Sequence, residues 1–204
     1  MSSLLTEAGL RATPLATFAE ALASAEPTPG GSSASAVPAV LAAGLVAMVA
    51  RLSVESDPFS DLSFDLEAVA SEADRLREEL LGLLEEDAAA FDRVMAARRL
   101  PDEPALRDAY RAAVEPPLGV CRRSLRVLEL AAEVAAKGNA NAVGDAGVAV
   151  VLAAASVEAA ALNARLDLSA VEDGAFRSAC ADELRKARAD AARLRASTPA
   201  AVRE

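Results

Sequence analysis

The sequence predicts an all-α fold, a single-domain bundle of about six helices with long central helices. More than half of the 204 residues are apolar and only 3% are aromatic, so the core must consist largely of alanine, valine and leucine. Such a core favours packed helices, because the β-branched and aromatic clusters typical of sheets are scarce. Apolar residues recur at helical spacing, and no alternating strand pattern appears. We expect one domain over residues 1–204, with a core at about 14–195 and a frayed C-terminal tail.

Helix start and stop signals divide the chain into these six segments. Thr13 caps the first, which starts at Pro14. Pro116 and Pro117 must kink or interrupt the fourth, because each lacks an amide donor and crowds the preceding turn. The predicted helices begin at Pro14, after the pair Gly30 and Gly31, at about Phe64, at Glu103, near Asp145 and at about Phe176.

The third predicted helix, at about 64–100, carries an apolar seam that one carboxylate interrupts. Asp87 is the polar member of two heptad rows, and an isolated carboxylate in a packed seam is costly unless it is paired or protonated. An ion pair with Arg107 or Arg111 and a role in a functional site are both open interpretations. The rows are Leu66, Ala73, Leu80, Asp87, Val94 and Val69, Leu76, Leu83, Ala90, Ala97.

The stretch EPTPGGSSASAV, residues 26–37, precedes the second helix. Its glycines, Gly30 and Gly31, allow a close backbone approach to a ligand, and the free amides of a helix N-terminus attract anions. A proline-led turn with a serine N-cap explains the same residues without a ligand.

Asp145, at the start of the fifth helix, is a second candidate carboxylate. It shares a helix face with Val148 and Leu152 and should therefore point inward, although an N-cap role is the structural alternative. The chain has no histidine, so acid–base chemistry would require carboxylates such as Asp145 and Asp87.

Composition excludes several classes of function. The net charge of −10 argues against nucleic acid as a partner, and the absence of histidine excludes a histidine triad or a histidine-rich metal site. Cys121 and Cys180 lack metal-ligand spacing and indicate buried thiols in a reducing compartment, so we expect no metal site. The N-terminus lacks a signal-peptide pattern, and we expect a cytoplasmic protein. Two apolar runs, 34–50 and 146–162, approach the length of a membrane span, but their alanine content favours buried core helices and no membrane partner.

Four segments, in this order, resemble the cyclodeaminase domain of formiminotransferase-cyclodeaminase and its stand-alone relatives, the methenyltetrahydrofolate cyclohydrolases. The resemblance spans about residues 14–175 and differs from the usual pattern at Ser32, Asp102, Ala164 and Asp167. The segments are FAEALASAEPTPGGSSASAV, EEDAAAFDRVMAARRLP, EPPLGVCRRSLRVLELA and GNANAVGDAGVAVVLAAASVEAAALNARLDL.

The resemblance implies a homodimeric folate enzyme with no metal and no permanently bound cofactor. It implies Asp145 and Asp87 as the candidate acid–base residues, and Arg99 or Arg107 as a contact for an anionic group. The implied substrate-binding residues are Pro29, Gly30, Gly31, Ser32, Ser33, Arg99, Arg107 and Asn163.

Two reactions are implied by the resemblance. A cyclohydrolase adds water to the bridging carbon of 5,10-methenyltetrahydrofolate and forms 10-formyltetrahydrofolate. A cyclodeaminase closes the same ring from 5-formiminotetrahydrofolate and releases ammonia. These 204 residues include no formiminotransferase domain, so we expect the cyclohydrolase; the alternatives are the cyclodeaminase and a non-catalytic helical dimer or folate-binding scaffold.

Overall fold

A computed structural model describes residues 9–56 and 63–198 of the chain. Within these residues the protein has α-helices and two short 3-10 turns but no strand, which confirms the predicted all-α fold. The last residues of the predicted frayed tail, 199–204, lie outside the described residues. The helices are α1 (Leu15–Leu22), α2 (Gly31–Ser56), α3 (Ser63–Ala97), α4 (Glu103–Ala113), α5 (Glu115–Lys137), α6 (Val143–Leu168) and α7 (Gly174–Ser197), with 3-10 turns at Leu10–Ala12 and Ala140–Ala142.

The division between α4 and α5 explains why the described residues contain one helix more than the sequence predicts. Val114 separates the two helices, immediately before Pro116 and Pro117. Both prolines therefore lie in the first turn of α5, where a helix has no partner for its amides and a missing donor costs little. The predicted interruption is confirmed.

Antiparallel helices α2 and α6 form the centre of the bundle and pack against α3 and α5. The Ser53 hydroxyl near the end of α2 accepts from the amide of Asn139, just ahead of α6, at 2.7 Å. At the other end, Gly31 lies against the side chain of Asn163. Buried alanines line both helices, and their small side chains allow the two backbones to approach closely: Ala36, Ala39, Ala43, Ala47, Ala50, Ala149, Ala153, Ala160 and Ala164.

Helix α3 confirms the predicted seam. All nine apolar members of its two heptad rows are buried, whereas Asp87 is only partly buried. The seam opens at this position, and the carboxylate faces a cavity rather than the packed core.

The two central helices leave one apolar surface uncovered. By length and composition, α2 and the segment Ala140–Leu168 could each cross a membrane, and in the bundle 44% and 56% of their most apolar windows are buried. Their exposed large apolar side chains, each 37–62% accessible, form what we call the α2/α6 face. It consists of Leu41, Met48 and Leu52 from α2 and Val148, Val151, Leu162 and Leu166 from α6.

Candidate functional site

A cavity of about 350 Å³ lies where α2, α3, α4 and α6 meet. This volume is in the usual range for small-molecule sites. The first turn of α2, the C-terminal third of α3 and the last turns of α6 supply most of its walls. Its polar side chains are Thr28, Ser32, Asp87, Arg98, Tyr110, Asn163 and Asp167, and its larger apolar ones are Phe91, Val94, Met95 and Leu166.

Asp87 projects into this cavity from α3 and is bound to the first turn of α2. The hydroxyl of Ser33, which is buried, donates a hydrogen bond to the Asp87 carboxylate at 3.1 Å. Burial raises the pKa of Asp87, and the hydroxyls of Ser32 and Ser33 partly offset this by favouring the charged form. Asp87 is therefore a carboxylate with a dedicated hydrogen-bond donor.

Ser32 has an unused hydroxyl in the same wall. Its Oγ atom is close enough to Asp87 to lower the pKa of that carboxyl, but it is buried and makes no hydrogen bond of normal geometry to any described residue. Buried polar groups normally have partners. The Ser32 hydroxyl is thus available to a ligand in the cavity.

Asp167 is a second carboxylate of the cavity and is carried by α6. Burial and, to a smaller extent, the charge of Asp87 together raise its pKa to about 6. Among the described residues no side chain or amide donates a hydrogen bond to Asp167, and no cation pairs with it. The two carboxyl groups therefore share one cavity in different environments, with a donor at Asp87 and none at Asp167.

Asn163 and Gly31 form a tight contact between α6 and α2. The Asn163 amide nitrogen donates to the carbonyl of Ala159 at 3.0 Å, which orients the side chain. A Cβ atom added to Gly31 would lie 3.3 Å from Asn163 Oδ1, whereas one added to Gly30 would meet only ordinary contacts. Gly31 is therefore the position in the glycine pair where the absence of a side chain matters for packing.

Arg98 supplies a cation to the cavity. Its Nε atom donates to the hydroxyl of Tyr110 at 2.8 Å, and its guanidinium lies over the tyrosine ring, 5.7 Å from the centroid. These contacts leave both terminal nitrogens of Arg98 without a described partner. A guanidinium held in this way can bind a carboxylate through two parallel hydrogen bonds.

The structure brings together six of the site residues that the sequence predicts. Asp87, Gly30, Gly31, Ser32 and Asn163 line the cavity, and Ser33 contacts Asp87 from behind it. Pro29 is not among the lining residues, although Thr28 and Gly30 on either side of it are.

The ion-pair interpretation of Asp87 is wrong. Arg111 pairs with Asp173 at 3.0 Å and packs over the ring of Phe176. Arg107 is exposed, and the hydrogen bond to Asp87 comes from Ser33. The carboxylate is stabilised by a hydroxyl because the α4 arginines point away from the seam.

Three other predicted site residues lie away from the cavity within the chain. Arg99 and Arg107 are exposed and do not line it. Asp145 is exposed in the first turn of α6, about 27 Å along the helix axis from Asn163 at 1.5 Å per residue. The N-cap alternative for Asp145 is also wrong, because Ala142 occupies that position. The catalytic role of Asp145 stays a prediction.

Asp167, Arg98 and Tyr110 are cavity residues that the sequence analysis did not select. Spacing could have found the first two. Asp167 follows Asn163 by four residues, and Arg98 follows Asp87 by eleven, so each shares a helix face with a selected residue. Tyr110 gives no such signal, since it reaches the cavity from a separate helix.

Comparison with known proteins identifies the family. The sequence profile of the formiminotransferase-cyclodeaminase family matches residues 14–186. The chain belongs to this family. A methenyltetrahydrofolate cyclohydrolase from Methylorubrum extorquens is 38% identical over 187 residues, which cover 87% of this chain and 90% of that protein.

More distant relatives connect this family member to cyclodeaminases. A formimidoyltransferase-cyclodeaminase from Sus scrofa is 29% identical over 174 residues; the match covers 81% of this chain but only 32% of the pig protein. The crystal structure of a formiminotetrahydrofolate cyclodeaminase from Thermotoga maritima superposes with a TM-score of 0.90 at 25% identity, covering 96% of this chain and 98% of the other. The helical fold is thus shared along the whole domain.

Proposed function

We propose that this protein hydrolyses 5,10-methenyltetrahydrofolate to 10-formyltetrahydrofolate. The observation that carries the proposal is the pair of carboxyl groups, Asp87 from α3 and Asp167 from α6, that line one cavity of small-molecule size. The Methylorubrum cyclohydrolase, which is similar over most of both chains, supports the choice of reaction.

The charge of the cavity suits this substrate. The bridging carbon of a methenyl folate lies in a cationic N–C–N group, which a carboxylate such as Asp87 stabilises and which water must attack. Phe91 and Val94 provide an apolar wall for a flat ring, and the free hydroxyl of Ser32 can bind a ring substituent.

The anionic end of a folate has a partner in Arg98. A folate ends in a glutamate, whose carboxylate matches the two unpaired terminal nitrogens of this guanidinium. The sequence-based choice of Arg99 or Arg107 for this contact is untested, but Arg98 is the arginine among the cavity-lining residues.

The decisive experiment measures turnover directly. Purified protein is mixed with 5,10-methenyltetrahydrofolate, and the loss of the methenyl ultraviolet band is compared with its loss in buffer alone. We expect acceleration by the protein, and Asp87→Asn should reduce it by about 100-fold or more, the usual contribution of one acid–base group. A rate equal to that in buffer would overturn the proposal, and a rise in melting temperature with folate in that case would identify a binding scaffold.

Cyclodeamination of 5-formiminotetrahydrofolate is the second candidate, favoured by the similarity of the whole fold to the Thermotoga cyclodeaminase. It passes through the same one-carbon centre between N5 and N10, so the same carboxyl groups could serve. Incubation with 5-formiminotetrahydrofolate distinguishes the two reactions, because only a cyclodeaminase forms the methenyl band and releases ammonia.

We also propose that two copies of the chain associate through the α2/α6 face. Seven large apolar side chains are exposed there on two adjacent helices. A large exposed apolar patch on a protein surface usually marks an interaction site. The face is continuous with the cavity, since Leu166 belongs to both. We propose a second copy of the chain as the occupant. The exposed apolar residues of α6 lie on both sides of the exposed Ala155, so a two-fold axis at Ala155 would place the apolar stripe of one copy against that of the other.

The oligomeric state tests this interface. Light scattering should give twice the mass of the chain, and Leu162→Glu, within the face, should produce monomers. Leu15→Glu is the matched control, since Leu15 is an exposed leucine outside the face, 70% accessible, and its replacement should leave the dimer intact. A monomeric wild-type protein would contradict the proposal.

A further inference from the structure

We propose that Asp167 is the proton shuttle of the active site. It transfers a proton from the hydroxyl group on the bridging carbon to N5 when the ring that contains this carbon opens. This inference rests on the proposed hydrolysis and assigns a role to a residue at which the chain departs from the usual pattern of the family. The cavity geometry points to it, because Asp167 on α6 and Asp87 on α3 line the same cavity and lie close enough for their charges to interact.

The surroundings of Asp167 fit a group that exchanges protons. A carboxyl group with a structural purpose in a protein interior is normally paired with a cation or bonded to donors. Asp167 has neither among the described residues, although it is partly buried. Its side chain is therefore free to accept and donate a proton within the cavity.

The asymmetry between the two carboxyl groups assigns their roles. Ser33 donates to Asp87 and favours its ionised form, while Asp167 has no donor and experiences the charge of Asp87. Where two carboxyl groups share a site, the group with less stabilisation of its anion keeps the proton. Asp87 is thus the base, and Asp167 is the acid.

No other charged group in the cavity alters this assignment. The groups that share the cavity with Asp167 are Asp87 and Arg98 from α3 and Tyr110 from α4; the first turn of α2 contributes hydroxyls. Among the described residues, Arg98 donates through Nε to Tyr110 and forms no ion pair with Asp167.

The reaction can be written with all atoms balanced. Asp87 removes a proton from water, whose oxygen bonds to the methenyl carbon, and the electron pair of the C=N bond moves to nitrogen. Asp167 then donates its proton to N5, the C–N5 bond breaks, and the hydroxyl proton passes to the new Asp167 carboxylate as the formyl C=O forms. Asp167 is regenerated, and Asp87 releases to solvent the single proton that hydrolysis produces.

Asp167→Asn tests the proposal, because it keeps the shape of the side chain and removes the proton transfer. Turnover of 5,10-methenyltetrahydrofolate should fall about 100-fold, and kcat/KM should no longer decrease as pH rises through the pKa of Asp167. Asp167→Glu, which retains the acid, should retain that decrease at a lower rate. Glu172→Gln, an exposed carboxyl group outside the cavity, is the control and should match the wild type.

The possible failures are distinguishable. If the wild type does not hydrolyse the substrate, the proposed function itself fails. If the wild type is active and Asp167→Asn retains its rate and pH profile, or raises only KM, the shuttle role is overturned. Binding of 5-formyltetrahydrofolate, followed by the shift in melting temperature, checks that the variant folds with its cavity intact.

Discussion

The hydroxyl of Ser33 donates to the carboxylate of Asp87 at 3.1 Å and thereby joins the first turn of α2 to the middle of α3. The glycine- and serine-rich stretch 26–37 thus has the structural role that its sequence predicts and also lines the cavity, while its binding of a ligand stays a prediction. It begins a helix, and its side chains control a carboxylate in the cavity. The strength of Asp87 as a base therefore reflects its burial together with the hydroxyls of Ser32 and Ser33.

Ser33→Ala should destabilise the ionised form of Asp87, because it removes a hydrogen bond to that carboxylate. A hydrogen bond to a charged group contributes about 1.5–3 kcal/mol, so its loss should raise the pKa of Asp87 further. Activity that needs the carboxylate ionised should then rise at a correspondingly higher pH. The pH dependence of kcat/KM with 5,10-methenyltetrahydrofolate measures this.

Ser124→Ala separates the effect on Asp87 from the loss of a buried hydroxyl. Ser124 is buried and shares a 2.8 Å hydrogen bond with Ser156. We expect a loss of stability in this variant without a change in pH profile. An unchanged profile in Ser33→Ala as well would show that Asp87 does not act as the base.

Arg98→Ala should raise KM by about 10-fold with little change in kcat, because the guanidinium is expected to bind the substrate tail and not the reacting carbon. Arg93→Ala is the control, since Arg93 is exposed on the same helix and does not line the cavity. Arg99→Ala and Arg107→Ala, measured in the same assay, test the prediction from the sequence that Arg99 or Arg107 binds the anionic group. A larger rise in KM from either of them would transfer the tail contact to that residue.

The raised pKa of Asp167 predicts a pH-dependent gain in stability for Asp167→Asn. The folded protein keeps a proton on this group up to about pH 6, while the unfolded chain, with an ordinary pKa of 3.8, has already lost it. The contribution of Asp167 to stability is therefore greatest below pH 4 and is lost as pH rises through 6.

The expected gain follows from the size of the shift. A pKa raised from 3.8 to about 6 corresponds to at most about 3 kcal/mol, which partial exposure reduces to about 1–2 kcal/mol. Urea unfolding at several pH values should show Asp167→Asn more stable than the wild type by this amount at pH 7, and equal to it near pH 4. Equal stability at both pH values would contradict the burial of this carboxyl group.

Mixed dimers test the predicted role of Asp145. Asp145 and Asn163 are separated by five helical turns and lie on one face of α6, so an antiparallel pairing of α6 about Ala155 would bring Asp145 of one copy to the cavity of the other. Asp87→Asn and Asp145→Asn should each be inactive alone. Co-expressed, they should recover about a quarter of the wild-type activity, because random pairing leaves one site in four with both aspartates intact.

Two results would contradict this arrangement. Full activity of Asp145→Asn alone would show that the residue has no part in catalysis. Two inactive variants that recover nothing in mixed dimers of verified composition would show that both aspartates act from the same chain.

The sequence predicts the helices well because start and stop signals bound them, and because amphipathic helices such as α3 have a clear apolar period while α2 and α6 are long apolar runs. The seam of α3 is an example: nine of its ten positions are buried, and the exception, Asp87, lies in the cavity. The site is less predictable, because it forms between helices that are distant in sequence. Nothing local shows that Tyr110 would hold Arg98, or that Arg111 would turn to Asp173.

Because of the Gly31–Asn163 contact, the cavity can form only when α2 and α6 are both folded and packed together. These residues lie near opposite ends of the chain, so the contact closes a very long loop, and no fragment that lacks either α2 or α6 can contain the cavity. A ligand that binds there should therefore stabilise the protein against global unfolding and slow amide hydrogen exchange in both helices at once. Truncation from the N-terminus through Gly31 would therefore abolish recognition while Asp87 and Asp167 are both still present.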